Sequence, residues 1–174
     1  QRGCWGQELT TEQLIKVFTG KVTNWKQIGG NDCQIVLVSR PSSSGTRATF
    51  EQYALKKHAS QSNQSLETDD SGTLIQMIQS VSGSIGYVAL SYLTGDPQVG
   101  IVSINGVKPS LKNVYNGKYT VWSYEHMYTK GQPKGAAKAF LQQMLSEEYG
   151  KKIEAMGYGI ASKLTAAAKA THTK

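Results

Sequence analysis

The chain is predicted to be an α/β protein with a mixed, largely parallel sheet flanked by helices. Two short runs rich in β-branched residues, "QIVLVSR" and "SIGYVAL", are apolar almost throughout, as strands buried on both faces are. Segments with apolar residues at helical spacing lie between and after them. Strands alternating with helices in this way imply crossover connections rather than hairpins. At 174 residues the chain can bury a core as one domain, or as one lobe of something larger.

The first helix is punctuated at both ends. Thr10 is placed as its N-cap with Gln13 three residues on, a capping box, and Leu9 with Leu14 forms a hydrophobic staple. Leu14, Ile15 and Phe18 make its apolar face and Gly20 stops it. After the strand at 34–40, Phe50, Tyr53 and Ala54 share one face of a helix over 46–57. A polar loop leads to a helix through Leu74, Ile75, Ile78 and Val81, capped by Asp70 or Ser71 and stopped at Gly83. "SIGYVAL" follows as the second buried strand. Residues 91–118 read as loops with a short strand at "VGIVSI", and "KYTVWSYEHMYTKG" reads as a longer strand. Pro133 opens the most regular helix, striped by Ala136, Ala137, Phe140, Leu141, Met144 and Leu145. "EEYGKKIEAMGYG" is a further helical piece, and the Ala-, Thr- and Lys-rich tail reads as loosely ordered.

The net charge of +7 does not come with a nucleic-acid pattern. The lysines are scattered, aromatic residues do not interleave with them, and no nucleic-acid-binding motif is present. A positive field equally attracts small anions. No apolar run approaches a membrane span. Cys4 and Cys33 cannot make a metal site alone; a disulfide in an exported protein and two unrelated thiols both fit their spacing.

The stretch "SRPSSSGTRATFEQY", residues 39–53, is the one that suggests chemistry. A strand ends and a helix begins there, leaving the first helical N–H groups unpaired at the positive end of the dipole. Gly45 permits close approach, Ser44 and Thr46 add hydroxyls, and Arg40 adds a planar fork of donors. Every group donates, so an oxyanion is the natural guest. Ser44 as a plain helix cap, and Arg40 as a surface partner of a carboxylate, are the alternatives. There is no Gly-Lys-Ser/Thr ending for a nucleotide loop and no nucleophile elbow. His58, His126 and His172 stand isolated, as surface or loop residues rather than bases, so no catalytic residue and no metal ligand is assigned.

Four ordered segments, "LTTEQLIKVFTGKVTNWKQIGG", "IVLVSRPSSSGTRATFEQY", "SGSIGYVALSYL" and "GKYTVWSYEHMYTKG", together resemble the phosphate-binding proteins of phosphate ABC transporters, the PstS type. The resemblance runs from about Leu9 to Ser162. It implies a lobe of the type II periplasmic-binding-protein fold, with residues 1–8 as a non-family or divergent start. Residues 9–118 would then be the second lobe, 119–162 the crossing strand and C-terminal helices of the first, and 163–174 the tail. Most of the first lobe, with its share of the ligand site, is expected to lie outside this chain.

The resemblance further implies that Arg40, Ser44, Gly45 and Thr46 bind inorganic phosphate, with Ser43 and Arg47 as additional candidates. A serine stands at position 42, where many such proteins carry an acidic residue beside the arginine. The implied function is phosphate capture for an ABC permease, outside the cytoplasm, without enzymatic activity and without a cofactor. A phosphatase-like or phosphoryl-transfer enzyme on the same scaffold, or a surface protein with a vestigial site, are the alternatives. The apolar stripe at 136–145 is expected to dock on a second copy as a homo-oligomer, to exchange with it, or to pack on the rest of the lobe, because exposing so much apolar surface is unfavourable.

Overall fold

A computed structural model of the chain describes residues 3–60, 65–95 and 98–172. Residues 1–2 of the divergent start, 61–64 of the polar loop, 96–97 of the following loop region and 173–174 of the tail lie outside the described residues.

The expected α/β architecture is present, and its named strand pairs are all parallel. Strand β2 (Val36–Ser39) is central, with β3 (Ser65–Glu67) on one side and β4 (Ser84–Gly86) on the other. Leu37 pairs with both Ser65 and Ile85, so β2 is sheltered on both edges. A second, two-stranded sheet joins β1 (Glu8–Leu9) to β5 (Ser103–Ile104).

Helix α1 (Thr11–Phe18) forms where its signals predict. Thr10 accepts from the Gln13 N–H while the Gln13 side chain accepts from the Thr10 N–H, which completes the capping box. Its buried face, Leu14, Val17 and Phe18, meets α2 (Gly45–Thr49), which runs on into a π-helical turn at Phe50–Ala54. Phe18 packs edge-on against Phe50 at 4.7 Å, and Phe50 stacks on Tyr87 at 4.2 Å. Burying these rings anchors the helical turn that continues α2 to α1 and to the residue that follows β4; each contributes on the order of 2 kcal/mol. Helix α3 (Ser71–Ser80) is capped by Asp70, whose Oδ1 accepts from the Thr73 N–H at 2.6 Å.

Cys4 and Cys33 form a disulfide. Trp5 stacks on Trp25 at 5.3 Å beside it, so the described start of the chain belongs to the folded body.

Three expectations are corrected. The long strand at 118–131 is absent: residues 119–129 carry no ladder. The alternating face exists, since the rings of Trp122, Tyr124, His126 and Tyr128 follow one another at 5.1, 6.2 and 6.0 Å. A strand needs a neighbour, however, and none pairs with this stretch among the described residues. The tail is not loose. After α4 (Leu111–Tyr115), α5 (Gly135–Met144) and α6 (Glu147–Ala155) comes a short α7 (Ala166–Ala170), capped by Thr165. Its Ala168 is fully buried against Gly117, where a side chain would strike the α7 backbone at 3.0 Å and φ is +78°. His172 is not isolated: its ring lies between Tyr53 and Trp122, at 4.0 and 3.7 Å.

The stripe on α5 is covered only in part: Leu141 and Met144 are half-buried, and the rest of it is exposed. Phe140 is 58% and Leu145 79% exposed.

Candidate functional site

The turn between β2 and α2 is built by local hydrogen bonds. The Ser44 N–H donates to the Pro41 carbonyl at 2.9 Å, closing the turn, and Ser44 Oγ accepts from the Arg47 N–H at 3.3 Å. Ser44 is thus the N-cap of α2, with extended backbone angles, as its residue type favours. Ala48 N–H then donates to the Ser44 carbonyl at 3.0 Å. Between these bonds, the N–H groups of Gly45 and Thr46 have no protein acceptor among the described residues. These are the orphan donors expected at a helix start.

Arg40 leaves the end of β2 with its backbone N–H bonded to Tyr87 Oη at 3.3 Å. Its Nη1 donates to Ser71 Oγ at 2.7 Å and its Nη2 to the Asp69 carbonyl, both at the entry to α3. Nε is buried and has no partner among the described residues. The Asp70 carboxyl is held below its usual range, first by the Thr73 N–H and hydroxyl it accepts from, with a smaller attraction from Arg40. No carboxylate lies within ion-pair distance of Arg40 among the described residues.

Arg47 has a different task. Nε meets Glu51 at 2.8 Å, Nη1 donates to the Arg40 carbonyl at 2.9 Å, and Nη2 donates to the Ser60 carbonyl at 3.2 Å. Glu67 stands 3.8 Å away, and only 11% of the Arg47 side chain is exposed. Its charge is compensated by two carboxylates, and this arrangement lends no support to its place as an additional phosphate-binding candidate. Burial pushes Glu51 up, but hydrogen bonds from Ser60 and then from Arg47 outweigh this and hold it below the usual carboxylate range.

Arg40, Ser44, Gly45 and Thr46 line one open cavity of about 1590 Å³; Ser43 and Arg47 do not. Ser43 is exposed. The cavity continues past Thr49 and Tyr87 to Ser123 and Tyr124. It is a broad trough, far larger than a tetrahedral oxyanion. Sequence reasoning overlooked Tyr87, Asp69 and Ser71 as residues of this site. The start of α3 is visible in the sequence, but that it closes on Arg40 is a tertiary fact.

The family profile described as "PBP superfamily domain" matches residues 5–148. The chain belongs to the PBP superfamily. Within it, this PBP chain is 48% identical over 147 residues to the phosphate-binding protein PstS of Bacillus subtilis, covering 84% of the chain and 48% of that protein. It is 31% identical over 121 residues to the PstS of Borreliella burgdorferi, covering 65% of the chain and 43% of that protein. Among solved structures it is similar to a phosphate ABC transporter substrate-binding protein with bound phosphate from Clostridium perfringens. That match has a TM-score of 0.74 and 32% identity, and covers 87% of the chain and 62% of that structure. An ABC-type phosphate transport receptor from Vibrio cholerae matches with a TM-score of 0.64 and 26% identity, over 88% of the chain and 64% of that structure. The PBP chain spans about half the length of the curated relatives it matches.

Proposed function

We propose that this chain supplies half of the ligand site of a solute-binding protein that captures inorganic phosphate for an ABC importer. The observation that carries the reading is the pair of unpaired amides, Gly45 and Thr46, facing one cavity with the Arg40 guanidinium. Amides at a helix start are fixed partial positive charges, and a phosphate oxygen accepts from them without any rearrangement. Arg40 adds full charge and a planar donor set. The phosphate-binding names of the relatives support phosphate as the anion.

Capture here is hydrogen bonding and charge, with no bond made or broken and no cofactor required. A second lobe closing over the trough would complete the donor shell, and opening it would release the ion to a permease. The disulfide between Cys4 and Cys33 supports a location outside the cytoplasm, where such bonds persist.

Because the trough is open, phosphate held by this chain alone keeps much of its water, and binding is expected to be weak, with a Kd of about 1 mM or above. An amide-resolved NMR titration with inorganic phosphate tests the reading. The Gly45 and Thr46 signals are expected to move together, and Arg40→Ala is expected to abolish the movement. Silent Gly45 and Thr46 amides, or a titration indifferent to Arg40→Ala, would overturn it.

A further inference from the structure

We infer that Ser71 is the positioning residue for Arg40, and that the neutral clamp it forms with the Asp69 carbonyl leaves the guanidinium charge outside any ion pair and available to the anion. The inference rests on the phosphate reading above.

Two arginines stand seven positions apart, and their environments differ in kind. Arg47 is matched by Glu51 and Glu67. Arg40 is held by a hydroxyl at 2.7 Å and by a backbone carbonyl, with no carboxylate in ion-pair range among the described residues. A carboxylate partner would fix an arginine and also neutralise it. A hydroxyl and a carbonyl fix it without forming an ion pair, and the Asp70 carboxylate, beyond ion-pair distance, attracts it only weakly.

The clamp is rigid for reasons on its own side. Ser71 is buried, so water does not readily replace its hydroxyl. As the first residue of α3 it is located by the Asp70 cap. The clamp occupies Nη1 and Nη2 from the α3 side and leaves Nε–H buried and, among the described residues, unpartnered on a residue that lines the trough. A buried donor without an acceptor is unfavourable. Arg40 is therefore pre-oriented with charge in reserve, which reduces the ordering cost of binding.

Two substitutions separate orientation from charge. Ser71→Ala removes the acceptor and keeps the charge outside any ion pair. Ser71→Asp keeps an acceptor and adds the missing carboxylate, at a first-turn position where the helix dipole favours it, so the fold is retained. Both are compared with the unaltered chain and Arg40→Ala by the inorganic phosphate titration at low and high salt, with the Arg40 Nε–H signal followed. Ser71→Ala is expected to weaken phosphate binding about threefold to tenfold with its salt dependence preserved. Ser71→Asp is expected to weaken it at least as much at low salt and to flatten the salt dependence, with an unchanged melting temperature. If both variants bind as the unaltered chain does while Arg40→Ala abolishes binding, the role given to Ser71 is wrong and the phosphate reading stands. If Ser71→Asp binds as tightly as the unaltered chain, the charge argument fails, whether or not Ser71→Ala folds. If Arg40→Ala binds normally, both fail.

Discussion

Tyr87 Oη accepts the backbone N–H of Arg40 at 3.3 Å, tying the residue after β4 to the first residue of the turn between β2 and α2. The same oxygen lies 3.0 Å from Ser39 Oγ, inside the core, and the Tyr87 ring stacks on Phe50 of the helical turn that continues α2. One side chain thus touches the strand end, the turn and the helix that together shape the site. Tyr87→Phe keeps the stack and removes the hydroxyl. It strands a buried serine hydroxyl and a part-buried N–H, so the expected loss of stability is about 1–3 kcal/mol by urea denaturation. Phosphate binding is expected to change little, because the Arg40 clamp at Ser71 stays in place. An unaltered unfolding midpoint would show that Tyr87 holds the turn by its ring alone.

Gly45 offers a test in which folding and binding part company. A Cβ at this position meets nothing within 4 Å, and its φ lies outside the glycine-favouring region. The fold therefore does not require glycine here. Gly45→Ala is expected to raise stability by about 0.5 kcal/mol, through a less disordered unfolded chain. The added methyl group stands beside the N–H that faces the trough, and phosphate binding is expected to weaken roughly fivefold. A stabilised variant that binds phosphate normally would show that the anion does not approach this backbone.

What could be read in the sequence was local, and what could not was paired across distance. Thr10 with Gln13, and Asp70 with Thr73, close caps over three residues, so residue type and spacing suffice to find them. The helix start at Ser44 was legible for the same reason. Arg40 and Arg47 look alike in the sequence, and their roles diverge through Ser71 and Glu67, which arrive from other elements. Strand β3 escaped notice because Leu66 is the lone apolar residue in Ser65–Glu67, and β2 supplies its ladder. The opposite error occurred at Trp122 to Tyr128, read as part of a longer strand but without a neighbour among the described residues. In the tail, Ala168 is buried because Gly117 lets it approach, a contact no tail composition announces.

The Arg47–Glu51–Ser60 cluster sets an acid limit on the fold. Glu51 has a lower pKa folded than unfolded, so the folded state favours its ionised form. Its stabilising contribution is complete above the unfolded value of about 4.5 and is lost as pH falls through the lower folded value. Glu51→Gln lacks this ionisation. The variant is expected to be less stable than the unaltered chain at pH 7, with the gap closing as pH drops from 5 to 3. Parallel stability curves over that range would mean that Glu51 titrates alike in both states.

The Cys4–Cys33 disulfide encloses a separation of 29 residues that contains β1, α1 and Trp25. Closing a loop of that length restricts the unfolded chain and is worth about 3–4 kcal/mol on the loop-entropy account. For a chain of this size that corresponds to roughly 10 °C in melting temperature. The turn between β2 and α2 lies outside the loop, and α2 is held by Phe18, Phe50 and Tyr87 rather than by the bridge. Reduction with dithiothreitol is therefore expected to lower the melting temperature by this amount while the Gly45 and Thr46 amides respond to phosphate as before. If reduction silenced those amides at a temperature where the chain is still folded, the bridge would be coupled to the site through β1 and α1, and the division between scaffold and site drawn from these contacts would be wrong.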